Sequence, residues 1–310
     1  MPTVGHPEAC PCCHVEGDLF LPPSVSATDE AIDVPQLVDT HNHAHLDESN
    51  DAVAVYDNFL TVTCAIRPND WNKCRGHASA SRTRWAAIGV HPWYVHEHAE
   101  NWNDILRSLD IMFKNERSLL IGEVGLDGAC RWVRSFDGGK TAALKLQSDC
   151  LTSQLLVAAK HRRPVSVHCV QLHALLLEAL QNLEEIPPAI ALHSFSGTKR
   201  HLQQYLDWEC GLLQSQQQTR LFFGFSHYIN NNFDAESSSA RKQHRQTLEC
   251  IREVPLDHLL LESDMVNDCA AATRQTLDFV AKARGMAPAD VAAKTTNNAL
   301  AFLATVTPST

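Results

Sequence analysis

Histidines and carboxylates in this chain stand where short apolar runs end. His41 and His43 follow QLVDT, Glu123 closes SLLIGE, His168 closes PVSVH, His193 closes AIALH and Asp264 closes HLLLESD. Imidazole nitrogens and carboxylate oxygens together make donor sets for divalent ions, with histidine suiting zinc or manganese better than magnesium alone. Residues two apart on a strand point the same way, so His41 and His43 can grip one ion. Glu123 has two oxygens, one for each of two ions, and His168 with His193 completes the shell of the second. Asp264 can bind an ion and take a proton from attacking water. The expected cofactor is therefore a pair of divalent ions, zinc, manganese or magnesium. Two dications outweigh two carboxylates and one hydroxide, so such a pocket would draw an anionic ester for hydrolysis.

The ligand register at the first strand is open in the sequence. His43-Ala44-His45 is a second pair with the same spacing as His41 and His43. The earlier pair directly follows the apolar run, with Asp39 on its face. His45 is then a supporting, substrate-facing or exposed residue.

These residues share one pocket only if the runs are strands whose carboxyl ends converge. Apolar runs at 34–39, 59–64, 84–90, 117–123, 164–168, 188–193, 220–225 and 257–262 have the length and turn-bounded ends of buried parallel strands. Helix-length segments lie between them; WNDILRSLDIMFK, for example, sets Trp102, Ile105, Leu106 and Leu109 on one face. Eight strands alternating with helices predict a single (β/α)8 TIM barrel, whose strand ends meet at one mouth. TRQTLDFVAKARG and PADVAAKTTNNALAFLATV read as final helices separated by a stop at Gly285, the last being additional to the barrel. Two long polar loops on the mouth side, CRWVRSFDGGKT and NNNFDAESSSARKQ, are candidates for substrate contact or plain surface loops.

Residues 1–33 carry LPPSVSATDE and no sustained periodicity, and are expected to form an N-terminal arm before a barrel domain at 34–310. Cys10, Cys12, Cys13 and His14 are zinc-competent types, yet no second pair follows at finger spacing, so incidental thiols are the preferred reading. The chain has 310 residues, eleven cysteines and a formal net charge of -10. The charge argues against a general electrostatic grip on nucleic acid or anionic membrane. Scattered cysteines in strand and helix patterns suit reduced thiols. With no apolar run near the roughly 18 residues of a membrane span and no leader-like start, the expectation is an intracellular protein, cytoplasmic or nuclear.

Taken together, VDTHNH with HLD, IGVHP, IGEVGLD, VSVHC, ALHSFSG, FFGFS, PLDHLLLESD and TTNNA resemble, in order across residues 34–302, the TatD family of metal-dependent deoxyribonucleases among the amidohydrolase-like barrels. The resemblance implies a distorted barrel, divalent metal and phosphodiester hydrolysis, with DNA or nucleotide fragments as substrate. It also implies a catalytic place for His91 near the substrate phosphate, beside Asp264 and Glu123; a turn histidine before Pro92 is the plain alternative. The sequence departs from the family pattern in three places. VDTHNHAHLD carries two extra residues, Cys169-Val170-Gln171 supplies no cation where the family often has arginine, and MVNDCAAATRQTLDF lacks the basic loop after the last aspartate. Two further readings therefore stand: a hydrolase of a small amide, lactone or phosphoester, and a metal-binding barrel that engages a protein partner.

Overall fold

The computed structural model describes residues 37–48, 59–231 and 237–306. Eight parallel strands run in chain order around one sheet: β1 (Leu37–Asn42), β2 (Phe59–Cys64), β3 (Arg84–Ile88), β4 (Leu119–Asp127), β5 (Val165–Val170), β6 (Ala189–Leu192), β7 (Arg220–Ser226) and β8 (Leu259–Glu262). Among the described residues ten helices surround them: α1 (Trp71–Ser79), α2 (Trp102–Asn115), α3 (Arg131–Ser135), α4 (Gly139–Lys160), α5 (His173–Gln181), α6 (Lys199–Gln214), α7 (His227–Asn230), α8 (Ser238–Glu253), α9 (Cys269–Arg284) and α10 (Pro288–Leu303). The predicted barrel is present. Its seam between β8 and β1 is held by Asp264 N–H donating to His41 O (3.0 Å) and His43 N–H donating to Met265 O (2.8 Å). Thr40 Oγ1 also donates to Leu261 O across it (3.0 Å).

Strand parity sorts the core into two layers. Leu60, Val62, Trp85, Ala87, Leu120, Ala189, Ala191, Phe222 and Leu260 fill the barrel interior, while their neighbours Ile88, Ile121, Ile190, Phe223 and Leu261 pack outward under the helices. That division follows from the two-residue period of a strand and the double burial of a parallel sheet. The additional helix α10 closes one end of the interior, with Phe302 packed edge-on against Phe222 at 5.7 Å and Ala299 and Leu303 beside it. Asn298 fixes it by donating to Leu256 O and Leu259 O, both at 2.8 Å. Gly285, at φ 65, ends α9 in the left-handed conformation that glycine takes without strain.

The two polar loops resolve differently. CRWVRSFDGGKT is largely helical, because Val133 and Cys130 bury against Ala143 and fold α3 back onto α4. The second begins at the last residue of α7 and runs into the start of α8, with 232–236 outside the described residues, as are the arm and its Cys10–His14 cluster. Among the described residues the cysteines are free thiols. No helix among them is long and apolar enough to cross a membrane.

Away from the mouth, His258 ties α6 to the start of β8: its Nε2 lies 2.6 Å from Glu209 Oε2 and its Nδ1 2.9 Å from Asp257 Oδ1. Burial disfavours its cation, but the hydrogen bonds to Asp257 and Glu209 outweigh this and hold its pKa at about 9. A raised folded-state pKa stabilises the fold fully below the unfolded value near 6.5, and the contribution is lost as pH climbs towards 9. The stability gap between wild type and His258→Gln should therefore be about 1–3 kcal/mol at pH 6 and shrink steadily up to pH 9. Urea titrations with chelator present measure it; a gap that widens with pH would contradict the assignment.

Candidate metal centre

Parity alone delivers three of the expected residues. His168 follows Ser166 on the inward face of β5, His193 continues Ala189 and Ala191 beyond β6, and Asp264 continues Leu260 and Glu262 beyond β8. Glu123 has the wrong parity for its strand, since Leu119 and Ile121 face outward. A register shift between Ile121 and Val124 reverses it, after which Val124 and Leu126 pack outward and Glu123, Gly125 and Asp127 turn inward. A shift between Asp39 and Asn42 accompanies the inward turn of His41 and His43. Such irregularities re-aim side chains next to functional sites. Gly125 pairs with His168, and a Cβ there would lie 1.9 Å from His168 O, so the close approach of β4 and β5 requires glycine. Strand ends at the mouth also hold left-handed residues, Gln171 (φ 64), Ser194 (φ 40) and Asp264 (φ 55), strain that concentrates at such sites.

The inward residues form one cluster centred on Glu123. Its Oε1 lies 2.7 Å from His193 Nε2, 2.9 Å from His168 Nδ1 and 3.1 Å from His91 Nε2. Its Oε2 lies 3.4 Å from His41 Nε2 and 3.5 Å from His43 Nε2. The two oxygens thus face different histidines, the disposition that bridging carboxylates need, although the His41 and His193 rings stack with centroids 3.9 Å apart. Asp264 spans them, with Oδ1 3.5 Å from His43 Nε2 and Oδ2 3.9 Å from His193 Nδ1. All seven residues expected at the site are brought together.

His45 is not among them. It is buried, and its Nε2 lies 3.4 Å from Asp70 Oδ2 beside α1. Asp39 also turns away, accepting from Ser263 N and Oγ at 2.9 and 2.6 Å and so fastening β1 to the end of β8.

The donor set fits divalent ions. His41, His43 and Glu123 present ligand atoms within 4.8 Å of one another, as do His41, His193 and Asp264. Buried ring nitrogens His41 Nε2, His168 Nε2 and His193 Nδ1 make no hydrogen bond. Burial pushes the pKa of Glu123 and Asp264 up, yet His91 and His193 around the first and the His43 hydrogen bond on the second hold both carboxyls well below their ordinary range. Conversely, burial opposes charge on His43, but the Asp264 hydrogen bond and Glu123 push it up to about 9. Anionic oxygens packed with imidazolium are what an ion-binding cluster looks like when protons balance its charge.

Backbone partners separate the roles of two histidines. His43 Nδ1 donates to Cys64 O at 2.8 Å, so when the ring gives up its second proton the lone pair is on Nε2, facing Glu123 and Asp264, the tautomer a ligand needs. His91 is the reverse case. Its Nδ1 accepts from Trp93 N–H at 3.1 Å, so the proton of the neutral ring is on Nε2, and burial lowers its pKa to about 4. Although His91, Glu123 and His168 are close enough to form a third candidate group, His91 faces the cluster as a hydrogen-bond donor.

Three supporting residues escaped the sequence reading. Ser194 Oγ donates to Asp264 Oδ2 at 3.0 Å and lies 2.9 Å from Glu262 Oε1, which also accepts from Ser194 N–H. Asp127 Oδ2 lies 3.5 Å from His168 Nε2 and accepts from Trp93 Nε1 at 2.6 Å. Glu262 and Asp127 stand two and four residues from expected ligands in the same strand direction, so period-two spacing is the signal that could have found them.

The profile of the TatD-related DNase family matches residues 38–304. Cut9-interacting protein scn1 of Schizosaccharomyces pombe is 26% identical over 61% of this chain, and the match spans 64% of its own length. The 3'-5' ssDNA/RNA exonuclease TatD of Klebsiella pneumoniae is 26% identical, covering 69% of this chain and 68% of the relative. Among solved structures, the TatD homolog YJJV of Escherichia coli superposes with a TM-score of 0.66 at 20% identity, over 87% of this chain and 98% of that one. An uncharacterized amidohydrolase of Saccharomyces cerevisiae gives 0.56 at 14% identity, over 79% and 89%. With a family match across nearly the whole described barrel and the His, Glu and Asp cluster at its mouth, the chain belongs to the TatD-related DNase family.

Proposed function

We propose that this protein is a two-metal hydrolase of phosphodiester bonds, with single strands of DNA or nucleotide fragments as substrate. The observation that carries the reading is Glu123, which turns one oxygen to the His41/His43 pair and the other to the His168/His193 pair. His41, His43, Glu123, His168, His193 and Asp264 would hold the ions. When bound, two divalent ions lower the pKa of water and stabilise both the attacking and the leaving oxygen.

The protein's own groups supply the rest. Asp264, kept ionised and aimed by the Ser194 hydroxyl, accepts a proton from the water that attacks phosphorus as the ester P–O bond breaks. His91, neutral and with Nε2–H turned into the pocket, donates to a non-bridging phosphoryl oxygen as charge builds there. The family and the names of the bacterial relatives support this reading. A second reading, hydrolysis of a small ester or amide, is favoured by the end of β5, where Cys169 is buried with its thiol pushed up to about 12 and no cation follows. Cleavage of labelled single-stranded DNA and of bis(nitrophenyl) phosphate with added Mn²⁺, Zn²⁺ or Mg²⁺ tests both. Turnover of either that chelator abolishes is expected; fully loaded protein inert to both would overturn the phosphodiesterase reading.

A further inference from the structure

One residue beside the cluster is exposed where its type is normally covered. Trp93, immediately beyond β3 in the VHPW turn, leaves 49% of its surface in solvent, whereas Trp71 and Trp85 are buried. A large exposed apolar side chain at a concave polar site marks a binding surface more often than a lone one elsewhere. It also has company at the mouth. Of the other large apolar residues exposed among the described residues, Tyr228 and Ile229 follow β7 and Val266 follows β8.

The indole is held, not loose. Its Nε1 donates to Asp127 Oδ2 at 2.6 Å, and Asp127 is itself anchored by Ala129 N–H and Cys130 N–H on Oδ1 at 2.7 and 3.1 Å. The imidazole of His91 meets the indole at 81°, with centroids 4.8 Å apart, and His168 lies 6.5 Å away. One side of the ring is therefore set by the site, and about half of the residue's surface faces solvent. A pre-positioned aromatic face costs little ordering entropy when something flat settles on it.

We infer that Trp93 is a stacking platform for one unpaired nucleobase of a single-stranded substrate whose adjacent phosphate occupies the Glu123 cluster. The inference rests on the phosphodiesterase reading and extends it to the substrate's base. Three features select that occupant. The ring adjoins His91, whose Nε2 is 3.1 Å from Glu123, so the indole borders the cluster in which the phosphate would sit. A cationic side chain of a protein partner, the other common guest of an indole, would be repelled by a cluster filled with two dications, whose charge outweighs that of Glu123 and Asp264. A base in a duplex is stacked and paired on both sides and cannot lie on the indole, whereas base stacking on aromatics is the general device of single-strand binding. The platform also supplies affinity that does not depend on positive charge, which suits a chain of net charge -10.

Binding tests this independently of turnover. Fluorescence anisotropy with metal-loaded full-length protein would compare a labelled, cleavage-resistant phosphorothioate oligothymidylate, an abasic phosphorothioate oligomer of the same length and a phosphorothioate duplex. Wild type should bind the oligothymidylate about tenfold more tightly than the abasic strand, the increment of one aromatic stack. Trp93→Ala should erase that ratio, and Trp93→Phe, which keeps a ring but not the Asp127 bond, should retain part of it. Leu213→Ala, exposed on α6, is the control and should keep the full ratio. Equal wild-type affinity for the two strands, an undiminished ratio in Trp93→Ala, or a Trp93-dependent gain for duplex would overturn the inference. Hydrolysis of bis(nitrophenyl) phosphate by wild type, measured alongside, reports on the phosphodiesterase reading alone, so the two can fail separately.

Discussion

Asp264→Asn should lower turnover of single-stranded DNA and of bis(nitrophenyl) phosphate by about a hundred- to ten-thousandfold while the barrel stays folded. An amide cannot accept the water's proton, and general-base loss is worth that range. The change also removes one negative charge from a cluster in which Asp264 faces both His43 and His193. Folding should persist, because the seam at this position is made by the backbone, Asp264 N–H to His41 O, and by the Asp39–Ser263 contacts. Initial rates at saturating Mn²⁺, with circular dichroism as the folding check, measure it. A variant as fast as wild type would remove Asp264 from its proposed role and leave the fold untouched.

The second large effect concerns the register of the histidine pair. His41→Ala should weaken divalent-ion binding by more than about a hundredfold, beyond the roughly 10–100-fold typical of losing a supporting group. His45→Ala should weaken it much less, since His45 is turned towards Asp70 and His41 towards Glu123. Metal titrations of both variants decide, and the reverse ranking would show that His43 and His45 are the pair. The stability cost need not follow the same order, because both rings are buried.

Much of the barrel is legible in the sequence because parallel strands buried on both faces read as continuous apolar runs, and β2 falls at the expected 59–64. Limits fail where polar residues are themselves buried. The run at 34–39 suggests a strand ending at Asp39, yet β1 continues through His41 and Asn42, whose side chains hydrogen-bond to Ser166, Thr63 and Asp39 inside the protein. Likewise β4, expected to stop at 123, extends to Asp127 because the GEVGLD residues pair with β5 beyond the register shift. His168, His193 and Asp264 could be placed inward by counting alternate residues. For Glu123 the count gives the wrong face, and only the motif in which it sits pointed to the site; the bulge that corrects it has no single-residue signature. Trp93 was invisible for another reason: nothing in VHPW says whether the indole will be covered, and its exposure is a property of the assembled mouth.

Metal stoichiometry probes the shared centre most directly. Full-length protein loaded with Zn²⁺ or Mn²⁺, desalted and analysed for bound ion should carry two per chain, and Glu123→Ala, which removes both oxygens at once, should carry one or fewer. Wild type that retains no ion, or a Glu123→Ala protein that still retains two, would contradict the account.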